Sequence, residues 1–507
     1  MARPATTSPA SPPADGCRDP ARTPLEATMP TGSTGQIAGI IIASLLVIGF
    51  GVAMSVYFGR RAKSSEDWLS AGESLPLVVV VITQFATATG GGVLIAHVGI
   101  GYRSGWSVFI YEGCVLVGFL VLMLIAKWLR EQRFTTVPDI VTRLFGEHKL
   151  VTAIAALAAL VVPFGWLATQ FVAFAQLFGQ LTGLPATVLI AVIMVASLLF
   201  VLPGGLTSVA WTDFVFGVFM IAMSLGVATY AVSLAGGWGH ITATVPQRLW
   251  GWEGLTAVGW DQIWLWVAAI LPGTLTNQLY YQRVFATKKV SDARRGLGLS
   301  GLTMLIGGVY AGCIGLAVHS MNPGLANEED AAGWLLTRLP SWLLVVFGAF
   351  LVSTIVSTTG AALQSVVANL TRDVYQNIAG RAQDERQAVR LSRAITVAVS
   401  MLAAVLAILF PKALTWLVAT YAYSAAALAA PIFLGYLLHR RRRLTPAAAI
   451  TGMLAGLTGC AVAQVLDTTV PYAVYGIAAS AVVLLAVAFA TPGGRTENVY
   501  GEMVRKA

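Results

Sequence analysis

The sequence predicts an all-α integral membrane protein with about thirteen transmembrane helices. Hydrophobic residues make up 57% of its 507 residues and charged residues only 11%, and the mean hydropathy is +0.75, which no soluble domain of this length shows. Apolar runs of about 20 residues, enough to cross a bilayer core, recur along the chain without the alternation of β-strands. The runs cover approximately residues 36–58, 76–100, 105–128, 150–181, 186–203, 208–234, 260–283, 296–319, 342–371, 390–410, 413–438, 446–466 and 471–490.

The residues before the first apolar run are rich in Pro, Ala, Thr and Ser. This composition is typical of disorder, so we expect residues 1–35 to form a disordered N-terminal tail. The tail lacks the short apolar stretch of a cleavable signal peptide, and Met29 is a hypothetical alternative start. We expect a membrane domain over residues 36–490 and a cytoplasmic tail over residues 491–507.

The distribution of basic residues predicts the orientation in the membrane. When loops are assigned alternately to the two sides, 25 of the 32 Lys and Arg residues lie on the side of the C-terminus, including Arg283 to Arg295 and Arg440 to Arg443. Basic loops face the cytoplasm, so the N-terminus is expected outside and the C-terminus inside, in a plasma (inner) membrane. This distribution accounts for the net charge of +9, so we expect the lipid bilayer as a partner and no nucleic acid.

The second segment contains three consecutive glycines, Gly90 to Gly92, in its middle. Glycine weakens a helix by about 1 kcal/mol relative to alanine. Unwound backbone at this depth is tolerated where it is buried or lines a polar cavity, and its carbonyls can then bind a cation. Close helix packing is the alternative explanation.

The seventh segment is interrupted in the same manner. Pro272 and Gly273 interrupt the apolar run, and polar residues follow directly: Thr274, Thr276, Asn277 and Gln278. Interrupted segments at corresponding positions of two halves predict an inverted-repeat transporter with a binding site near the membrane midplane. The second to sixth and seventh to eleventh helices would then form five-plus-five repeats, about residues 76–234 and 260–438, with one helix before them and two after.

The ninth segment carries a polar face within an apolar helix. Residues spaced three and four apart form this face: Ser353, Thr354, Ser357, Thr358, Ala361, Gln364, Ser365 and Ala368. Hydroxyls on such a face either hydrogen-bond across a close helix contact or supply neutral oxygens to a cation. Both interpretations stay open on composition alone.

Other functional classes find little support in the residues. Cys17, Cys114, Cys313 and Cys460 match no metal or disulfide spacing. The predicted cytosolic segments contain no nucleophile–base pairing, metal cluster or phosphate loop, so we expect neither an enzyme nor an organic cofactor. A channel would need a ring of charges or a filter motif, and a sensory module would need a signalling domain. Glu112, Asp261 and Asp467 lie near segment ends and are expected at the membrane interface.

Six stretches in the same order resemble the sodium:solute symporter family over about residues 36–490. They are SEDWLSAGESLP (65–76), FTTVPDIVTRLFG (134–146), GGLTSVAWTDF (204–214), YYQRVFATK (280–288), STIVSTTGAALQSVVANLTRDVY (353–375) and YAYSAAALAAP (421–431). The resemblance implies the leucine-transporter type of fold. It also implies Na⁺ as coupling ion, bound by the carbonyls of Ala86, Thr89 and Thr354 and the hydroxyls of Ser357 and Thr358. Asp213 would assist cation passage, the alternative being a carboxylate that stabilises a helix N-terminus.

The solute is less constrained than the ion. Sugar carriers of the family have charged or amide residues where this chain has Gly92 and Val93, and proline carriers have an Asp where it has Ala88. Choline carriers use an aromatic cage, two positions of which read Ala88 and Asn277 here. We expect a small polar organic solute. The candidate contacts are Gln84, Thr87, Trp166, Gln170, Thr274 and Asn277, and Gln170 has an interhelical hydrogen bond as its alternative role.

The expected mechanism is alternating access, in which sodium fixes the second helix against the ninth and favours the outward state that binds solute. Coupling requires both ligands to differ in affinity between the two states. A proton-coupled or uncoupled carrier of the same fold is the nearest alternative. The oligomeric state is not predicted.

Overall fold

The computed structural model describes residues 34–60, 71–203, 205–378, 385–411, 413–439 and 444–491, and over these residues the chain is helical with no strand. Met29, the Arg440 to Arg443 cluster and nearly all of the two predicted tails lie outside the described residues. The helices, numbered in chain order, are α1 (Thr34–Gly59), α2 (Leu77–Ala88), α3 (Gly91–Ser104), α4 (Val108–Glu131), α5 (Val137–Phe145), α6 (Lys149–Thr182), α7 (Ala186–Val201), α8 (Gly205–Leu234), α9 (Trp238–Thr244), α10 (Gln247–Trp250), α11 (Trp260–Thr274), α12 (Gln278–Phe285), α13 (Val290–Met321), α14 (Asp330–Leu336), α15 (Ser341–Asn369), α16 (Glu385–Leu409), α17 (Ala413–Leu438), α18 (Pro446–Val465) and α19 (Tyr472–Ala490).

The glycine-rich second segment is divided into α2 and α3. Helix α2 ends at Ala88, Thr89 has φ −90° and ψ 70°, and Gly90 is extended before α3 begins at Gly91. The interruption is therefore two residues long, and the last two of the three glycines are helical. A Cβ at Gly92 would lie 2.1 Å from Thr169 Cγ2, so this glycine permits close packing of α3 on α6, which was the alternative explanation. The interruption itself lies at Thr89 and Gly90.

The seventh segment is divided into α11 and α12, but not at the expected residues. Helix α11 continues through Pro272 and ends at Thr274, and α12 begins at Gln278. The Oδ1 atom of Asn277 accepts a 3.0 Å hydrogen bond from the Leu279 amide and so caps α12. The prediction of a break at Pro272 and Gly273 was therefore displaced by a few residues, because a proline in the last turn need not end its helix.

The chain entering α2 pairs with the chain leaving α12. Leu75 N donates to Ala286 O at 3.0 Å and Lys288 N donates to Leu75 O at 2.9 Å. Arg130, at the end of α4, contacts the same two segments. Its guanidinium donates to Thr287 O at 2.8 Å and to Glu73 Oε2 at 2.8 Å. The ends of the two interrupted helices are thereby fixed to each other.

Ten helices in the described part of the chain are long and apolar enough to cross a membrane. This criterion counts α3 and α4 together as Gly91–Glu131, and it leaves α7 among the shorter apolar helices, with 16 residues. The halves of the seventh segment, α11 and α12, are also below its length limit. The fold is therefore an all-α membrane fold, and the count of thirteen crossings stays a prediction.

Helix α15 lies at the centre of the molecule. All side chains from Phe350 to Asn369 are buried, and the chain continues beyond them in a π-helical stretch, Leu370–Ile378. Helix α1 is peripheral, with 11% of its apolar window buried, and it contacts α15 where Gly348 meets Ile40. Polar residues on α15 therefore face protein on every side.

Candidate functional site

The interruption between α2 and α3 lies against the polar face of α15. Thr358 Oγ1 donates a 3.2 Å hydrogen bond to the carbonyl oxygen of Ala86. A Cβ added to Gly90 would lie 2.9 Å from Thr358 Cγ2, so glycine permits this approach. Two of the five predicted sodium ligands, on segments far apart in the sequence, are thus neighbours in the structure.

A buried carboxylate lies beside the second hydroxyl. Ser357 Oγ donates a 2.7 Å hydrogen bond to Asp213 Oδ1, and Thr83 Oγ1 of α2 donates to Asp213 Oδ2 at 3.0 Å. Asp213 has no exposed surface. Its carboxylate connects α8 with both α2 and α15. Asp213 lies well beyond the first turn of α8, which begins at Gly205, so it is not placed to stabilise the helix N-terminus.

Arg283 is a site residue that the sequence reading missed. It was counted among the basic residues of a cytoplasmic loop, but its side chain is 1% exposed and its guanidinium lies 3.5 Å from Asp213 Oδ2. It also donates to Thr87 Oγ1 at 2.7 Å and to Leu279 O at 3.1 Å. The signal available in the sequence was its place in YYQRVFATK, directly after the second interruption.

The donor set fits a hard cation such as sodium, which prefers carbonyl, hydroxyl and carboxylate oxygens. The Ser357 hydroxyl donates a hydrogen bond to Asp213, which leaves the lone pairs of its oxygen available to an ion. The Thr354 hydroxyl bonds to Phe350 O in its own helix, which is compatible with the expected role of its carbonyl alone. Thr89 follows the last residue of α2. A cation between Thr358 and Ala86 would replace the hydrogen bond that now joins them.

Two of the predicted solute contacts meet at one tyrosine of α17. Asn277 Nδ2 donates to the Tyr421 hydroxyl at 3.3 Å, and the Trp166 ring lies edge-on to the Tyr421 ring with centroids 6.4 Å apart. The Tyr280 hydroxyl is 3.1 Å from the Tyr421 hydroxyl. All four side chains are buried. The second interruption is therefore lined by aromatic rings that carry hydroxyl and amide groups.

The remaining predicted contacts do not converge there. Gln170 Oε1 accepts a 2.6 Å hydrogen bond from the Gly91 amide, which is the interhelical alternative. Thr87 belongs to the Asp213 and Arg283 network. Thr274 bonds to Ile270 O and lies against Gly118 of α4. Gln84 is buried, and its Oε1 has no hydrogen-bond partner within the described ranges.

The polar face of α15 continues past the two hydroxyls. Ser365 Oγ donates to Gln282 Oε1 of α12 at 2.7 Å. Gln364 and Asn369 are fully buried, and neither terminal amide has a hydrogen-bond partner among the residues that the structure describes. Buried polar groups of this kind are rare inside a membrane protein unless a path for ions or solutes runs past them.

The sequence is similar to known transporters. The protein-family model of the sodium:solute symporter family matches residues 68–456. The chain is 26% identical to a sodium/glucose cotransporter of Vibrio parahaemolyticus, over 71% of this chain and 72% of the relative. It is 25% identical to the high-affinity proline transporter PutP of Bacillus subtilis (strain 168), over 79% and 87%. These relatives are transporters rather than enzymes.

Solved structures share the fold. A Na⁺-coupled sialic acid symporter in a substrate-bound outward-open state superposes with a TM-score of 0.77 at 17% identity, covering 92% of this chain and all of that one. A nucleobase-cation-symport-1 family transporter in a closed conformation gives a TM-score of 0.55 at 16% identity, covering 84% and 95%.

Proposed function

The chain belongs to the sodium:solute symporter family, and from this premise we propose that it is a sodium-coupled secondary active transporter. It imports a small polar organic solute by alternating access. The single observation that supports a sodium site most directly is the 3.2 Å approach of Thr358 Oγ1 to Ala86 O. This contact joins α15 to the end of α2, where carbonyl groups are released from helical hydrogen bonding.

In this proposal the carbonyls of Ala86, Thr89 and Thr354 and the hydroxyls of Ser357 and Thr358 bind one sodium ion. These are neutral oxygens, which suits an ion that must be released in each cycle. Sodium would hold α2 against α15, as the expected coupling between helices requires. A solute that binds the same arrangement of helices then binds more tightly when sodium is present.

Asp213 is proposed to lie on the path of the ion. Its carboxylate is one hydrogen bond away from Ser357, a proposed ligand, and it is paired with Arg283. Arg283 belongs to α12, so the carboxylate also connects the sodium site with the second interrupted helix. We assign Arg283 a positioning role, because it holds Asp213 without touching the proposed ligands.

The proposed architecture is the thirteen-helix arrangement expected from the sequence. The two interrupted helices, α2 with α3 and α11 with α12, occupy corresponding places in the repeats at about residues 76–234 and 260–438. The paired chain segments at Leu75 and Ala286 and the ion pair of Arg130 with Glu73 join one end of these two helices. In the proposed orientation, with a cytoplasmic C-terminus, this end faces the cytoplasm and its contacts break when the carrier opens inward.

We propose that the solute binds beside Asn277, Trp166 and Tyr421 at the second interruption. An amide, a phenol and indole faces suit a small molecule with both polar and apolar parts. We keep Gln84 as a further candidate contact of the solute, because its side-chain carbonyl oxygen lacks a hydrogen-bond partner in the described residues. The relatives named above are transporters of a sugar and of an amino acid. Solutes of similar size are therefore the ones to test.

The proposal is tested by the thermal stability of the purified protein against a library of amino acids, sugars, carboxylates and amines, in sodium or in potassium. A ligand at 100 times its Kd stabilises by about 2.7 kcal/mol. Stabilisation by one solute that requires sodium supports coupled transport. A solute that stabilises equally in potassium would favour a proton-coupled or uncoupled carrier, and sodium-insensitive stability throughout would remove the basis for the sodium site.

A further inference from the structure

Two glutamines of α12 join this helix to two other elements. Gln278 Oε1 accepts a 2.7 Å hydrogen bond from the Val137 amide at the start of α5, and Gln278 Nε2 donates to Thr135 O at 3.5 Å. Gln282 Oε1 accepts a 2.7 Å hydrogen bond from Ser365 Oγ of α15. Both glutamines are buried, and residues four apart share one face of a helix. One face of α12 is therefore bound to α5 and α15 through polar contacts.

Helix α5 is also joined to the stretch that continues α15. Thr136 Oγ1, at the start of α5, donates a 2.9 Å hydrogen bond to Asp373 Oδ1. The helix contacts α6, α17 and α18, and its apolar side chains Ile140, Val141 and Leu144 are buried. Helices α5 and α15 are thus joined to each other, and α12 meets both of them through its two glutamines.

The two unpartnered amides of α15 lie beside these contacts. Gln364 directly precedes Ser365, and Asn369 lies one turn beyond Ser365 on the same face of the helix. Neither amide group has a hydrogen-bond partner within the described part of the chain. A buried amide without a partner forgoes the hydrogen bonds that it would make with water. Both side chains are therefore better satisfied in a state in which water reaches this part of α15.

The contacts of α12 are of a kind that can break and re-form. Val137 is the first residue of α5, where the amides have no partner within the helix, so its amide can bond to water in place of Gln278. The Ser365 hydroxyl also donates to Ala361 O in its own helix at 3.0 Å. A hydrogen bond that water can replace contributes little net stability. Separation of α12 from α5 and α15 therefore leaves the buried apolar side chains of α5 in place.

We propose that α12 is a cytoplasmic gate, which Gln278 closes against α5 and Gln282 closes against α15. When α12 moves away from both helices, solute and ion leave past Gln364 and Asn369. The inference rests on the proposed function for the solute and the ion, and on the proposed orientation for the side of the membrane. Gln278 directly follows Asn277, a proposed solute contact, so a change at the second interruption reaches the gate through one peptide bond. The two glutamines are positioning residues, because they hold helices and touch neither solute nor ion.

The test is the rate at which a membrane-impermeant maleimide labels N369C in inside-out and right-side-out vesicles. The full-length protein is used, in potassium and without solute, so the result depends on neither sodium binding nor transport. From the cytoplasmic side, labelling should be about fivefold faster when Q278M is added, which is the change in population that loss of one hydrogen bond supports. S365A should act in the same direction. T142A is the control, because Thr142 bonds to Pro138 O and Asp139 O within α5.

Mass spectrometry reads each cysteine separately, so the buried native Cys114 and Cys460 report general loosening of the fold. Equal labelling of N369C with and without Q278M and S365A would overturn the gate, as would faster labelling that includes Cys114 and Cys460 or that occurs from the outer side alone. Q364C is the second reporter, for use if N369C does not fold. Sodium should slow the labelling, because it is proposed to hold α2 against α15. Labelling that sodium leaves unchanged would contradict the proposed function and not the gate.

Discussion

The hydroxyl of Ser357 donates a 2.7 Å hydrogen bond to Oδ1 of Asp213, across a sequence separation of 144 residues. This contact links a proposed sodium ligand on α15 to a fully buried carboxylate on α8. The same carboxylate reaches Thr83 on α2 and Arg283 on α12. A change in the position of any one of these helices therefore reaches the others through Asp213.

Replacing Thr358 by Ala removes a proposed ligand and should weaken sodium binding. A hydrogen-bonding group that contacts a charge contributes about 1.5–3 kcal/mol, equivalent to roughly a tenfold to hundredfold change in affinity. The measurement is the sodium concentration that gives half of the maximal rise in melting temperature. T359A is the control, because Thr359 bonds to Ile355 O in its own helix; equal sodium requirements for both variants would remove Thr358 from the site.

The pair of Asp213 and Arg283 should behave as a unit. Neutralising one partner leaves a buried charge without compensation, which destabilises a protein by about 3–5 kcal/mol. D213N and R283Q should therefore each lower the melting temperature, whereas the double variant should recover much of the loss. A double variant whose loss equals the sum of the two single losses would show that the side chains are not energetically coupled.

The ion pair of Arg130 with Glu73 is predicted to stabilise the state that is closed to the cytoplasm. Because its side chains are 8% and 32% exposed, we expect a contribution of about 1 kcal/mol or slightly more. E73Q should increase ²²Na⁺ efflux from proteoliposomes several-fold. The control is E131Q, which breaks the exposed pair of Lys127 and Glu131 nearby and should leave the efflux rate unchanged. An unchanged rate in E73Q would contradict the closing role.

Tyr421 should affect the solute and not the ion. Y421F removes the hydroxyl that contacts Asn277 and Tyr280 while keeping the ring against Trp166. Once a stabilising solute is found, this variant should need a higher solute concentration for the same stabilisation and an unaltered sodium concentration. Y423F, on the same helix but bonded to Gln464, should match the wild type. A loss of sodium response in Y421F would argue against separate sites.

The interruptions and the shared face of the candidate ligands could be predicted because their causes are local. Gly90 in an apolar run weakens the helix wherever it occurs, and hydroxyls at Ser357 and Thr358 share a face by helical periodicity. The family resemblance then suggested that the polar face of α15 meets the end of α2. The contact of Thr358 with Ala86 agrees with this arrangement. Sites, domain limits and the inverted repeat remain proposals.

What the sequence did not reveal depends on pairing between distant segments. Arg283 was assigned to a cytoplasmic loop because nothing in the local sequence distinguishes a buried arginine at a helix end from an arginine in a cytoplasmic loop. Its partner, Asp213, lies 70 residues earlier in the chain. Glu112 was expected at the interface from its place near a segment end, and its side chain is buried within the protein, 2.9 Å from His97 Nδ1. In both cases the partner side chain is set by how the helices pack, which composition and periodicity do not encode.

The most direct test of the proposed sodium site is equilibrium binding of ²²Na⁺ to the purified wild type and to the S357A/T358A variant. A sodium site predicts saturable binding to the wild type that unlabelled sodium displaces and potassium does not. It also predicts that binding to the double variant is weakened at least tenfold, with the fold retained as judged by its melting temperature in potassium. Equal binding by the two proteins would contradict a sodium site between the end of α2 and the polar face of α15.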